Sequence, residues 1–148
     1  IFESYDYSKL NDENVDKIRS KYFGFIFQRL HLIKHLSVEQ NILLGLNKNK
    51  KIKTDQLLEE IGLKIKKTQL AKDLSFGESQ RVAILRGVIN NPKIIFADEP
   101  TSSLDDKNTK KVIELIFSQA KKNDSSIILS SHDQRVTKYL KNVLEIKL

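Results

Sequence analysis

The chain reads as an α/β fold built on a mainly parallel sheet. Apolar and β-branched runs at 22–27 (YFGFIF), 94–97 (IIFA) and 125–131 (SSIILSS) each end at a polar residue: Gln28, Asp98 and His132. Short continuous runs of this kind suit strands buried on both faces of a parallel sheet. Segments with apolar residues at helical spacing follow two of them. Taken in order, residues 1–20 are expected to hold a strand remnant and a polar loop or short helix. Strands are expected near 22–27, 93–98, 125–130 and 142–147. Residues 29–74 are expected as a mostly helical insert, in which Ser37 and Gln40 frame a capping box ahead of Ile42, Leu43 and Leu46. A helix near 76–89 places Val82, Ile84, Leu85 and Val88 on one stripe and leaves Gln80, Arg81 and Arg86 off it. Ser75 as N-cap and Glu78 three residues on complete a second capping box. A helix over about 106–121 carries Val112, Ile113, Leu115, Ile116 and Ala120 on its apolar side, and a last helix is expected near 133–141.

A chain of 148 residues, 30% charged and 39% apolar, suits one soluble domain or most of one. No apolar run approaches the ~18–20 residues of a membrane span, and no secretory signal opens the chain. Cysteine is absent, so disulfide and thiol chemistry are excluded. His31 and His35 are four apart and could share a helix face, but with no cysteine nearby no metal site is expected there. The formal charge is +7. Residues 29–72 hold ten Lys/Arg against four Asp/Glu, and the rest holds sixteen against fifteen. The excess includes Lys48, Lys50, Lys51, Lys53, Lys64, Lys66 and Lys67. A solvated surface is the first reading of it. Attraction to an anionic membrane face is the second. Nucleic-acid binding is not expected, because the cluster lacks interleaved aromatics and a recognition motif.

The chemistry concentrates between Leu74 and Asp105. Asp98-Glu99 follows an apolar run, at the carboxyl end of a strand, where ligands bind in parallel sheets. Two adjacent carboxylates there are poorly explained by packing, since unpaired charge is costly to bury. Alone, the pair reads as solvated acids. The Ser75 turn opens a helix, and a helix N-terminus offers free N–H groups and a positive dipole end to an anion.

The whole stretch, LSFGESQRVAILRGVINNPKIIFADEPTSSLD, resembles the signature-plus-Walker-B block of ABC-type ATPases, the engines of ABC transporters. The resemblance continues in family order from Gln28, matching the Q-loop glutamine, to His132, matching the switch histidine. It implies a P-loop NTPase-like core at 1–28 and 75–148, with a helical subdomain at 29–74. It also implies site roles. Asp98 and Gln28 would hold Mg²⁺, Asp98 through water. Glu99 would orient or deprotonate the attacking water, with Gln28 and His132 beside it. Ser75, Phe76, Gly77 and Glu78 would meet the γ-phosphate of ATP held by a second subunit, and Ser103-Leu104-Asp105 would couple the two subunits. The family wording is LSGGQ. Here Phe76 stands at the first Gly and is expected to restrict the turn. Glu78 stands at the Gln and is expected to repel phosphate unless it folds back onto the cap.

A phosphate-binding loop requires G-x-x-x-x-G-K-[ST], and no two of the five glycines are five apart. An N-terminally truncated piece, lacking its first strand and that loop, is therefore expected. It should bind ATP poorly, and should swap, dimerise or aggregate through unpaired edges. The resemblance implies a homodimeric ATPase subunit, bound to transmembrane permease subunits on the cytoplasmic face of a membrane. The run from Tyr7 to Gln28 and on to Asn41 resembles the lipoprotein-release and macrolide-export branch, which implies export. Two alternatives stand beside this. One is a soluble ABC ATPase of DNA repair or translation, although 46 residues between Gln28 and Ser75 leave no room for a long coiled coil. The other is a non-catalytic regulatory module.

Overall fold

The computed structural model describes residues 6–46, 52–102 and 104–140. Helix α1 (Asp12–Tyr22) starts at the Asn11 cap, carries Asp12 and Glu13 in its first turn and passes directly into strand β1 (Phe23–Ile26). It is longer than a polar loop or short helix, and it moves the strand start from 22 to 23. Three features that suit a helix N-terminal half explain this: the Asn11 side chain accepts from Asn14 N–H, the acids face the positive dipole end, and Lys17 pairs with Glu13 at 2.7 Å. Strands β2 (Ile94–Asp98) and β3 (Ser126–Ser130) complete a three-stranded sheet of order β1-β2-β3, parallel throughout. Phe25 stands opposite Phe96, and Phe96 opposite Ile128. Every strand therefore delivers its carboxyl end to one edge.

One face of this sheet carries the core. Helix α4 (Phe76–Val88) lies over β1, and helix α5 (Asp106–Asn123) links β2 to β3. Val82, Ile84, Leu85 and Val88 are buried, as the stripe predicts, with Ile26, Ile95, Ala97, Val112 and Ile116. Two glycines allow the close approach. A Cβ at Gly24 would strike the carbonyl of Gly87, and one at Gly87 would strike the carbonyl of Phe25. Gln80 and Arg86 are not on an open face. Gln80 is 4% exposed, and its amide donates to Pro100 O at 2.6 Å, just past the end of β2. The Arg86 guanidinium donates to Leu30 O at 2.7 Å and His31 O at 2.9 Å, and burial lowers its pKa. It thus holds the segment that follows Gln28.

The insert contains α2 (Val38–Leu43), α3 (Thr54–Glu60) and two 3-10 turns, Lys64–Lys66 and Ala71–Asp73. Helix accounts for less than half of its described residues. The rest is loop shaped by side chains. Buried Asn41 donates to the carbonyls of Ile33, Leu36 and Ser37 and accepts from Ile33 N–H. The Ser37–Gln40 capping box is present. His31, at φ +46°, and His35 lie in loop and turn rather than on a helix. The expected helix at 133–141 is shorter, α6 (Gln134–Thr137), capped by Asp133. The expected strand at 142–147, the strand remnant at the start, Lys48, Lys50, Lys51 and Ser103 lie outside the described residues. Among the described residues, no helix is long and apolar enough to cross a membrane.

A polar network joins the loops after β2 and β3. Buried Thr101 donates to Asp133 Oδ2 at 3.0 Å. Arg135 reaches Asp133 at 2.8 and 2.9 Å and Asp106 at 2.7 Å. The Arg135 hydrogen bond holds the Asp133 carboxyl at about 2, below its ordinary 3.8.

On the opposite face of the sheet, Arg19 of α1 lies beside an apolar surface made by Phe23, Phe25, Phe27 and Phe96. Phe25 (39%), Phe27 (48%) and Ile128 (55%) are exposed there. Phe25 stacks on Phe96 at 5.4 Å and on Phe27 at 5.9 Å, and Phe23 meets Phe96 edge-on. Parallel sheets are normally covered on both faces, and contiguous apolar surface of this kind drives association.

Three outcomes are expected. Sedimentation velocity of the 148-residue chain shows concentration-dependent association, and Phe25→Lys with Phe27→Lys weakens it; a monodisperse monomer at all concentrations contradicts this. Gln80→Leu leaves the Pro100 carbonyl without its donor and costs about 1–3 kcal/mol, read from urea midpoints at one fixed protein concentration. Because the folded pKa of Asp133 is depressed, its contribution is complete above about pH 4 and is lost as pH falls towards 2. Asp133→Asn therefore lowers stability at neutral pH and makes its fall over that acid window shallower, as thermal midpoints across pH would record.

Candidate functional site

The parallel register brings the ends of β2 and β3 side by side. Asp98 ends β2 and is exposed. Its Oδ1 accepts from the Ser130 hydroxyl at 2.6 Å. Glu99 follows at φ +44°, a left-handed conformation that is costly for a residue with a side chain. The turn is fixed by Glu99 N–H donating to Ser130 O at 3.0 Å and by Ser102 N–H donating to Glu99 O at 3.2 Å. The reversal swings the Glu99 carboxylate across the end of β3. There Oε1 accepts from His132 N–H at 3.0 Å and lies 2.7 Å from His132 Nδ1, while Oε2 accepts from the Ser131 hydroxyl at 3.4 Å. The Glu99 side chain is 19% exposed and the His132 ring 82% exposed. A half-shielded carboxylate is therefore held from one side, and an imidazole lies open to solvent.

Asp98, Glu99 and His132 come together as the sequence implies. Ser130 and Ser131 complete the group and were not read as site residues. Their signal was the hydroxyl pair just before His132. Gln28 lies two residues beyond the Ile26↔Ala97 pair, at the same edge of the sheet, and is exposed. Among the described residues it makes no hydrogen bond to Asp98 or Glu99. Asp105 caps α5, accepting from Asn108 N–H at 2.7 Å and from the Asn108 amide at 3.1 Å.

The Ser75 turn stands apart from these acids. Its capping box is formed: Ser75 Oγ accepts from Glu78 N–H, and Glu78 Oε2 accepts from Ser75 N–H at 2.9 Å. Glu78 thus folds back onto the cap. Neither Phe76 nor Gly77 has a positive φ, so Phe76 does not constrain the turn as expected; it opens α4 with its ring half exposed. A Cβ at Gly77 would meet only the Arg81 guanidinium, at 3.9 Å. Among the described residues nothing crowds that position. The N–H groups of Phe76 and Gly77 open the helix and have no intrahelical acceptor.

The donor set suits particular ligands. A carboxylate at Asp98 with a serine hydroxyl beside it is all-oxygen and accessible, which fits Mg²⁺ shared with phosphates and water. Among the described residues no cluster of three or more His, Asp or Glu could hold a metal by itself. The open N-terminus of α4 fits an anion.

Comparison with known proteins agrees with these features. A family model described as ABC transporter matches residues 4–102. The putative hemin import ATP-binding protein HrtA of Staphylococcus aureus strain RF122 is 42% identical over 136 residues, covering 88% of this chain and 62% of that protein. The HrtA of strain Newman is 41% identical over the same length. The chain thus spans about three fifths of the length of the curated relatives it matches. Among solved structures, the dimeric ATP-binding cassette MJ0796 bound to ADP and Pi superposes with a TM-score of 0.77 at 29% identity, covering 93% of this chain and 63% of that one. CbiO1 of Clostridium perfringens, part of the cbiONQ transporter complex, superposes with a TM-score of 0.68 at 29% identity, covering 83% and 51%. The α/β core with its parallel sheet is that of these P-loop NTPase-type cassettes, and the chain belongs to the ABC transporter family, as part of its ATP-binding domain.

Proposed function

We propose that the protein is the ATP-binding, ATP-hydrolysing subunit of an ABC transporter. The observation that carries this is the Glu99 carboxylate, turned by a left-handed backbone onto His132 and Ser131 beside the exposed Asp98. In this reading residues 1–28 and 75–148 belong to the nucleotide-binding core, and residues 29–74 form the helical subdomain. Two copies enclose two ATP. Each site takes Asp98, Glu99, His132 and Gln28 from one chain and the Ser75 turn from the other. The open space at Gly77 supports that last assignment, because it leaves room for a group from a second chain to approach the turn.

Glu99 orients the attacking water and accepts its proton as the new O–P bond forms and the bond to the leaving ADP breaks. His132 Nδ1 holds Glu99 in place, and the opposite ring nitrogen is left to face phosphate. Mg²⁺, held by Asp98 and reached by Gln28, would offset charge on the β- and γ-oxygens. The N–H groups of Phe76 and Gly77, with the Ser75 hydroxyl, receive the γ-phosphate of the partner's nucleotide. In this reading Asp105, the N-cap of α5, couples the chain to the second copy. Closure of the pair drives a transmembrane permease on the cytoplasmic face. No nucleic acid is part of this reading. A phosphate-binding loop is absent from the 148 residues, so tight ATP binding is proposed only where such a loop is joined to them.

The resemblance to the lipoprotein-release and macrolide-export branch favours export. The HrtA relatives are named for hemin import, and ATP-dependent flux in inverted vesicles separates the two directions.

The test compares Mg·ATP binding and turnover by this chain and by the upstream-extended product, each with Glu99→Gln. The extended protein is expected to bind and hydrolyse ATP. Glu99→Gln is expected to lower its turnover about 10²–10⁴-fold while retaining bound ATP. Full turnover in the Glu99→Gln form would falsify the assignment of Glu99, and tight binding by the 148-residue chain alone would overturn the account of the missing phosphate-binding loop.

A further inference from the structure

A carboxylate in a turn meant for phosphate is a liability. The N-terminus of α4 attracts an anion through its dipole and its open N–H groups. Glu78, two residues into the helix from Phe76, brings a negative charge to the same place. Folding back onto Ser75 N–H moves that charge without cancelling it.

The structure supplies a cation. Lys66 Nζ lies 2.7 Å from Glu78 Oε1, and the two side chains are 32% and 17% exposed. Both oxygens of Glu78 are then engaged, one by the cap and one by Lys66. The lysine comes from the 3-10 turn Lys64–Lys66, inside the insert and remote from α4 in sequence. Its neighbours are committed elsewhere. Lys64 pairs with Glu59 at 3.2 Å, and Lys67 pairs with Asp55 at 2.8 Å and Glu39 at 3.2 Å. Of these three lysines, Lys66 alone serves the Ser75 turn. The carboxyl of Glu78 is held at about 2, chiefly by the Lys66 hydrogen bond, so Glu78 carries its charge at neutral pH.

We propose that Lys66 is a positioning residue for phosphate binding at the Ser75 turn: it neutralises Glu78 and keeps its carboxylate against the cap, so that the helix N-terminus stays attractive to the γ-phosphate of a partner's ATP. The proposal rests on the reading of that turn given under Proposed function. It assigns part of the phosphate-facing electrostatics to the insert rather than to the core.

The test uses the full-length gene product in its Glu99→Gln form, with Mg·ATP as the probe and ATP-driven dimerisation measured by sedimentation. Lys66→Met is expected to weaken dimerisation about tenfold when Glu78 is present. Combined with Glu78→Gln, the same substitution is expected to change it by less than about twofold, each form compared with its own parent. Lys66→Arg should restore most of the loss. ATP binding to the monomer and the thermal midpoint report a merely structural effect, which Glu78→Gln would not relieve. An equal loss with and without Glu78, or no loss at all, overturns the proposal. If the Glu99→Gln parent itself fails to dimerise with ATP, the reading of the Ser75 turn falls first, and Lys66 with it.

Discussion

Parallel pairing of β2 with β3 is the constraint on which the rest of the site depends. In a parallel sheet each strand ends at the same edge, so the residue after Asp98 and the residue after Ser130 leave the sheet as neighbours. That proximity lets Glu99 N–H bond to Ser130 O and continue the ladder one step past the strand. The same step turns Glu99 into a left-handed conformation and lays its carboxylate across His132. Had β3 run antiparallel, its start would have met the end of β2, and His132 would lie at the far edge. The chemistry is therefore a consequence of topology before it is a property of any side chain.

Topology in turn rests on how closely α4 can approach β1. Gly24 and Gly87 leave no Cβ between helix and strand, and each backbone carbonyl fills space that a methyl would need. With the helix seated, Gln80 reaches Pro100 and Arg86 reaches Leu30 and His31. One helix thus fixes the loop after β2 and the loop after β1. The turn that begins this helix is the Ser75 turn, so the same helix that opens there also braces, through Gln80 and Pro100, the loop that follows the acids. Strain at Glu99 costs of order 1–3 kcal/mol, and this bracing is what over-determines it.

Much of this was legible beforehand, for physical reasons that also explain the exceptions. Capping boxes at Ser37 and Ser75 are local and involve residues three apart, and both formed. The stripe through Val82, Leu85 and Val88 marked the buried side of α4, because apolar periodicity reports burial against a sheet. Gln80 was misplaced by the same logic. It is buried not against the sheet but under the loop at Pro100, and a polar residue satisfied by a distant carbonyl leaves no periodic trace. Asn41 shapes the loop at 33–37 in the same hidden way. The Lys-rich stretch was taken as a solvated surface, yet Lys64, Lys66 and Lys67 each have a partner, two of them far away in sequence. Composition reports charge but not pairing.

The uncovered aromatic face and the open Ser75 turn point to the same conclusion from different physics. Phe25 stacks on Phe27 and on Phe96, and Phe23 meets Phe96 edge-on, arrangements that aromatic pairs favour. Exposure of half a ring at 39% and 48% forfeits most of that benefit. A glycine at position 77, whose missing Cβ would meet only the Arg81 guanidinium at 3.9 Å, is likewise uncrowded among the described residues. Local sequence choices in a folded protein agree with one another when the whole is present. Where two of them lack a counterpart among the described residues, each points to a contact beyond those residues. Apolar stacking calls for a packed layer over the sheet, and an empty, positively polarised turn calls for an anion. These are different demands at different places, one met by apolar atoms and the other by negative charge.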